Sequence, residues 1–306
     1  MADSDRTASL MTPAKLAQVS RPKAAVSPAA YLDRMAADAG HMHLHQLAQL
    51  RGVLETHARA RDPAPIAKEL AQLAKTLSDL DFALLEARGW WARTTGKGRS
   101  TSGEFAAQVE QIDATAQALA LQVQKLHKRQ QAEAVATERT LVEFEVECRA
   151  IDKLVEQGAR WLQDMRKQLQ ERSAAATGEQ SQQQLREDAG RCDILIARLK
   201  LLRDVVAAAQ AVHEQARGTA AQRATVLQML QQVLASDVKA WQGRMPALAA
   251  QAAQGKPPSL EGAMETHQEL QLCIRQCIAD GETLRAQEDA LAAALAGFGR
   301  LLDAAG

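Results

Sequence analysis

Two cysteines, Cys273 and Cys277, are the residues whose type and spacing come closest to a reactive site. Because they are four residues apart, they would share one face of a helix, where thiolates could bind a soft metal or attack an arsenic or chalcogen oxyanion. Two thiolates do not complete a tetrahedral metal site, and no adjacent Cys or His spacing completes it. Buried free cysteines often pack as small hydrophobes. We therefore predict a packing role for both, with a thiol enzyme that reduces oxyanions as the minor alternative.

Three closely spaced histidines, His41, His43 and His45, raise the same question of metal binding. On a helix His41 and His45 would share a face while His43 points away, so at most two could coordinate one metal ion. We therefore predict that they form a solvated helix face.

A glycine-rich basic loop between residues 89 and 103 invites comparison with a phosphate-binding loop, because it contains Gly96 and Lys97. That motif needs a glycine five residues before the Gly-Lys pair and Ser or Thr after it, whereas the chain has Trp91 and Gly98 there. We predict a linker. The sequence thus predicts no catalytic residue, no metal site and no cofactor, and we expect a protein that is not an enzyme.

Composition and charge limit the partners that can be expected. The 306 residues include 37 basic and 37 acidic side chains, so no net field attracts nucleic acid. The N-terminus lacks a secretory signal pattern, and the uncharged runs contain polar residues and are too short to span a membrane. We expect a cytoplasmic protein with no nucleic-acid partner and no transmembrane segment, and leave peripheral membrane contact open.

The elements that would position these residues are long helices. One apolar series continues over many turns with alternating steps of three and four residues, which is the heptad pattern of a helix packed along another helix. Only His213 and Arg223 interrupt it. The series is Cys192, Leu195, Leu199, Leu202, Val206, Ala209, His213, Ala216, Ala220, Arg223, Leu227, Leu230 and Leu234.

A second heptad series begins at Phe105 and weakens where Gln130, Glu133 and Thr137 occupy the expected core positions. It resumes at Leu141, four residues later than the heptad rhythm allows, so we expect a bend or a change of helical partner near residue 133. Small polar residues around Gly178 then predict that the chain reverses direction.

These patterns predict an all-α fold, in the form of an elongated antiparallel bundle of long, coiled-coil-like helices. We expect a disordered tail over residues 1–27, an N-terminal helical hairpin and linker over 28–100, and the long-helix bundle over 101–304. Pro63 and Gly89 would delimit the second helix of the hairpin. Pro246 is expected to kink the returning helix, because proline cannot donate the helical hydrogen bond.

Arg203, Gln210 and Arg217 are spaced by seven residues and form a polar row beside the apolar series. The row could contact an anion or a partner. Alternatively, the arginine stems cover the apolar seam and pair with carboxylates of a neighbouring helix, which is the interpretation we favour.

The same stretch resembles the signature of the toxic-anion (tellurite) resistance family. Arg198 and Leu199 with Leu202 and Arg203, then Gln215 and Arg217, then Trp241, are similar to it in order and spacing. Three family positions differ, with Glu214 and Lys239 replacing prolines and Ala220 replacing a glutamine.

This resemblance implies a non-enzymatic cytoplasmic helical protein that acts by binding or scaffolding in resistance to tellurite, other toxic anions or related stress. Protein partners are expected, and a homo-oligomer is one form they could take. For Trp241 we favour a role as a core anchor. A coiled-coil adaptor that organises protein partners is the alternative function. The candidate partner or anion contacts are Arg198, Arg203, Gln210, Gln215, Arg217 and Trp241.

Overall fold

A computed structural model describes residues 39–59, 64–85, 97–254 and 259–306 of the chain. Helix accounts for 95% of them, and they contain no strand, so the predicted all-α class is confirmed. The predicted disordered tail, residues 1–27, lies outside the described residues. The helices are α1 (His41–Arg59), α2 (Ala64–Ser78), α3 (Lys97–Ala175), α4 (Glu179–Ala235), α5 (Asp237–Ala253) and α6 (Glu261–Ala305), with a 3-10 turn at Phe82–Leu85.

The described residues form two compact units. The smaller unit, here called the helical pair, combines residues 39–43 with Arg149–Val206. The larger unit, here called the helical bundle, combines the described parts of Leu44–Cys148 and Ala207–Gly306. Helices α3 and α4 each contribute residues to both units.

In the helical pair, α3 and α4 run antiparallel. Gly158 lies against Leu199, and Arg172 bonds Asp188 at 2.9 Å, so residue numbers fall along one helix as they rise along the other. A Cβ atom on Gly158 would lie 2.8 Å from the Leu199 methyl groups, so the glycine permits this close approach. The predicted heptads supply most of the buried residues, namely Ile151, Val155, Leu162, Met165, Cys192, Leu195, Leu199, Leu202 and Val206, and Val205 is buried beside them.

The helical bundle has four antiparallel layers. Phe144 of α3 stacks on His213 of α4 with ring centroids 6.4 Å apart. Helix α6 returns beside α3, since Phe144 also contacts Phe298 at 5.7 Å. Helix α5 packs against the start of α6 through Trp241 and His267. The chain therefore passes up and down the bundle on successive segments, as short connections favour.

Helices α1 and α2 together form one layer of this bundle. The prediction that they form an N-terminal hairpin is therefore wrong. Arg51 of α1 contacts the Leu295 carbonyl, whereas the Leu77 carbonyl of α2 accepts a hydrogen bond from Gln271. As the chain goes from α1 to α2, its contacts move from the end of α6 towards its start. Helices α1 and α2 therefore run one after the other along α6, antiparallel to it, and do not form a hairpin with each other.

One large apolar core joins α2, α3, α4, α5 and α6 within the bundle. The predicted positions from Phe105 to Val123 are buried in it, and Trp241 is completely buried. Pro246 lies inside α5, and the return path is interrupted ten residues earlier, at Ser236 between α4 and α5. The boundary between α4 and α5 is therefore at Ser236, whose hydroxyl bonds the Gln232 carbonyl, and the kink expected at Pro246 stays a prediction.

Candidate functional site

A buried ion pair is the main polar feature of the bundle interior. The guanidinium of Arg223 on α4 donates from Nε and Nη2 to one carboxylate oxygen of Glu288 on α6, at 2.9 and 2.5 Å. Only 10% of the Arg223 side chain and 22% of the Glu288 side chain are exposed. Because each charge is neutralised by the other, the pair can fix the alignment of α4 with α6.

Further polar groups accompany this pair on the other helices. Thr137 of α3 contacts His57 of α1 at 3.3 Å, and Thr219 of α4 is buried. The Oε1 atom of Gln130 is buried and has no hydrogen-bond partner among the described residues. We call this set the polar layer: His57, Gln130, Thr137, Thr219, Arg223 and Glu288.

The members of the polar layer lie at nearly one level of the bundle. Phe144 faces His213, so moving back along α3 to Thr137 corresponds to moving forward along α4 to about residue 220, within two helical turns. This is the position where the apolar series of α3 weakens. The weakened heptad near residue 133, where we expected a bend or a change of partner, therefore coincides with the polar layer. Helix α3 continues through this layer without interruption.

A second polar network surrounds Trp241. Its Nε1–H donates to Nδ1 of His267 at 3.1 Å, so Nδ1 must be unprotonated. The other ring nitrogen faces the Gln271 amide at 3.0 Å and the Leu77 carbonyl. Burial lowers the pKa of His267, and the contact with Leu77 opposes that shift only partly. The imidazole is therefore neutral and structural, and a second proton would bring two N–H donors together.

No protein-family model, curated protein or solved structure matches this chain. The similarity to the toxic-anion resistance family thus stays a prediction, supported by the residues of α4 and α5 that carry it.

The structure separates the candidate contact residues. Trp241 is inside the core, as the packing interpretation predicted. Arg198 is half-buried in the helical pair and donates to the Ala39 carbonyl at 3.2 Å, and burial lowers its pKa. Gln215 is half-buried in the bundle, where its carbonyl accepts a hydrogen bond from Thr219. The Trp241 and Arg198 side chains are thus held by contacts within their own unit, whereas the bond from Thr219 involves only the Gln215 backbone.

The polar row is exposed. Arg203 belongs to the helical pair, and Gln210 and Arg217 belong to the bundle. Neither arginine forms an ion pair with another described residue, and the favoured pairing with carboxylates of a neighbouring helix stays a prediction. Arg203 faces solvent on the helical pair, and Gln210 and Arg217 face solvent on the bundle.

The paired thiols on α6 lie in surroundings that oppose thiolate formation. Burial raises the pKa of Cys277 to about 11, with Cys273 and Asp280 adding to the shift. Burial and the nearby Asp237 carboxylate raise the pKa of Cys273 as well. A nucleophilic or metal-binding cysteine needs the opposite shift. These thiols are therefore poorly suited to reduce an oxyanion.

The remaining motifs add little. His41 and His45 are exposed, and His45 contacts Gln49 at 3.0 Å. No group of three or more His, Cys, Asp or Glu side chains could hold a metal ion in the part of the chain that the structure describes. Trp91 lies outside it, as does Gly96. None of the described helices is long and apolar enough to cross a membrane.

A groove of about 660 Å³ lies between the start of α3 and the end of α5. Small side chains such as Ala106 and Ala250 form its walls, and the carboxylates of Glu110 and Asp113 lie at one end. Asp113 is already bonded to the Gln242 amide. The groove therefore offers one committed and one exposed carboxylate, without a base and nucleophile in contact.

Sequence reasoning identified Arg223 only as an interruption of a heptad, and it missed Glu288, His57 and His267. Glu288 has no apolar periodicity of its own to mark it. The available signal for the polar layer was the charged residue Arg223 in the apolar series of α4 together with the polar interruption of the apolar series in α3.

Proposed function

We propose that this protein is a non-enzymatic cytoplasmic scaffold that acts by binding protein partners in cellular tolerance of tellurite or related toxic anions. The scaffold role is supported by one observation, an apolar stripe on the outer face of α3. Leu121, Val135, Val142 and Val146 are large hydrophobic residues that the bundle leaves exposed. Several exposed apolar residues on one face of a helix are typical of a protein contact site.

The link to toxic anions rests on the family resemblance of Arg198, Arg203, Gln215 and Arg217. The exposed guanidinium groups of Arg203 and Arg217 are available to carboxylates of a partner. Single exposed charges contribute little affinity each, so we expect Arg217, which belongs to the same unit as the apolar stripe, to orient a partner that the stripe binds.

The proposed role in anion tolerance is tested by comparing the tellurite tolerance of cells with and without the gene. We expect lower tolerance without the gene, restored by the unchanged chain. The Arg203→Glu, Arg217→Glu chain should restore it only partly, whereas Arg160→Glu, an exposed arginine on α3, should restore it fully. Equal tolerance of both strains would remove the role in anion tolerance.

A structural adaptor with no role in anion tolerance is the second candidate, and the apolar stripe supports it equally. Both candidates require a bound partner, so a pull-down with the full chain that recovers no partner would argue against both. Partners that bind the unchanged chain and are lost with Val135→Asp, Val142→Asp, in cells whose tolerance never changes, would favour the adaptor.

A further inference from the structure

The outer face of α3 combines the apolar stripe with an uneven charge distribution. Leu121, Val135, Val142 and Val146 are between 55% and 74% exposed. At 3.6 residues per turn they fall within an arc of roughly 60°. All four belong to the bundle. The four residues therefore share one face of a single long helix, with Lys128 and Arg139 between them, and this face points away from the core that Phe105 and Val123 enter.

Charges along this face change sign near its middle. At 3.6 residues per turn, the charged residues nearest the stripe in its first half, residues 121–131, are Lys125 and Lys128, with no acidic residue beside them. In the second half, residues 132–147, they are Glu138 and Glu143 with one arginine, Arg139. The first half is thus basic and the second half acidic.

The geometry points to self-association, in which the outer face of α3 packs antiparallel against the same face of a second copy of this chain. A two-fold axis near residues 133 and 134 would set Leu121 opposite Val146 and Ala132 opposite Val135. The same axis places the basic half of each copy over the acidic half of the other. An isologous contact of this kind uses one surface twice and closes as a dimer.

Charge distribution favours this occupant and this direction. A parallel pair of identical helices would put basic half against basic half, whereas the antiparallel pair makes two attractive contacts. Like charges remain opposed twice, because Lys128 of each copy lies opposite Arg139 of the other. Arg139 already bonds Glu143 at 2.8 Å, which offsets its charge locally.

The dimer deepens the proposed scaffold function by naming one partner, and it is tested with full-length chains carrying reversed charges. Lys125→Glu, Lys128→Glu makes the charges nearest the stripe acidic on balance in both halves, and Glu138→Lys, Glu143→Lys makes them basic in both halves. By light scattering the unchanged chain should reach the mass of two chains. For each variant alone, the dissociation constant of the dimer should rise at least about tenfold, because several exposed pairs become repulsive.

Mixing the two charge variants should restore a dimer close in strength to that of the unchanged chain, since both contacts are again complementary. This recovery also shows that each variant is folded. A mixture that stays monomeric, or variants that dimerise as well as the unchanged chain, would overturn the proposal. An unchanged chain that is monomeric at its highest soluble concentration would overturn it as well.

Apolar variants supply the matched control. Val135→Asp, Val142→Asp should give monomers, while Leu272→Asp, on an exposed position of α6, should leave the dimer intact. Disulfide formation tests whether the two helices are antiparallel. A chain with Leu121→Cys should form a disulfide with a chain carrying Val146→Cys in preference to a second Leu121→Cys chain. Preferential self-linking of Leu121→Cys would show a parallel pair and overturn the proposal.

The dimer and the proposed function can fail separately. Tolerance that does not depend on the gene would remove the function while the dimer stays measurable. A monomeric chain that restores full tolerance would remove the dimer and leave the function.

Discussion

Two neighbouring parts of α3 pack into the same bundle by opposite means. From Phe105 to Val123 every core position is apolar and buried. From Gln130 to Thr137 the core positions are polar, and the facing helices supply Arg223 and Glu288. The apolar part gains stability from area removed from water, which is non-directional. The polar part gains little net stability but requires its partners in one alignment, so the comparison separates what stabilises the bundle from what sets its register.

The largest expected effect is in the apolar part. Trp241→Ala should lower the free energy of unfolding by about 3–5 kcal/mol, because it removes a completely buried indole and leaves a cavity. Urea denaturation followed by circular dichroism measures the change. Leu272→Ala, at an exposed position, is the control and should change stability by less than about 0.5 kcal/mol. A Trp241→Ala effect as small as that of the control would contradict the packing described here.

In the polar layer, Arg223→Met should cost about 3 kcal/mol, because it leaves the Glu288 carboxylate largely buried and without its partner. Adding Glu288→Leu should recover most of that loss, since two apolar side chains can replace a buried pair. The same denaturation experiment checks both variants. If the double variant is as unstable as Arg223→Met alone, the ion pair itself stabilises the bundle. The distinction between an apolar part that stabilises and a polar part that sets the register would then be wrong.

A smaller effect is expected at Thr137. Thr137→Val keeps the shape of the side chain and removes its contact with His57, so it should lower stability by about 1 kcal/mol. Thr225→Val, an exposed threonine of α4 that bonds only its own helix, is the comparison and should be nearly neutral. Equal effects at the two positions would show that the contact with His57 contributes nothing.

The least direct effect is on the pH dependence of stability, because many carboxylates also titrate in acid. Burial lowers the pKa of folded His267, whereas in the unfolded chain the imidazole titrates near about 6.5. Below that pH the unfolded state binds a proton that the folded state does not. Stability is therefore fully present above about 6.5 and is lost as pH falls towards the folded pKa.

Thermal unfolding from pH 7.5 to 5 tests this with His267→Gln as the non-titrating reference. The unchanged chain should lose more stability than the variant across the window. Parallel curves would show that His267 titrates alike in both states.

The sequence predicted the apolar parts of the fold because leucine and valine at heptad spacing carry their own periodicity. The buried positions from Phe105 to Val123 and from Cys192 to Ala209 were identified in this way. The polar layer was visible only as a gap, since Glu288 and His57 follow no pattern that assigns them to a core. Their partners are far away in the chain, so only the packed bundle brings them together.

The course of the N-terminal helices was mispredicted for a related reason. Pro63 signals a helix start, but it carries no information on whether the chain reverses there. The contacts of Arg51 and Leu77 with α6 decided it. Placement of the arginine row beside the seam was predictable from spacing, while its exposure depended on which helices lie next to α4.

We propose that the outer face of α3, and not thiol chemistry at Cys273 and Cys277, carries the function. In cells lacking the gene, tellurite tolerance should be restored in full by Cys273→Ser, Cys277→Ala and not by Val135→Asp, Val142→Asp, with equal amounts of both proteins confirmed. Loss of tolerance in the cysteine variant together with full restoration by the stripe variant would contradict the account.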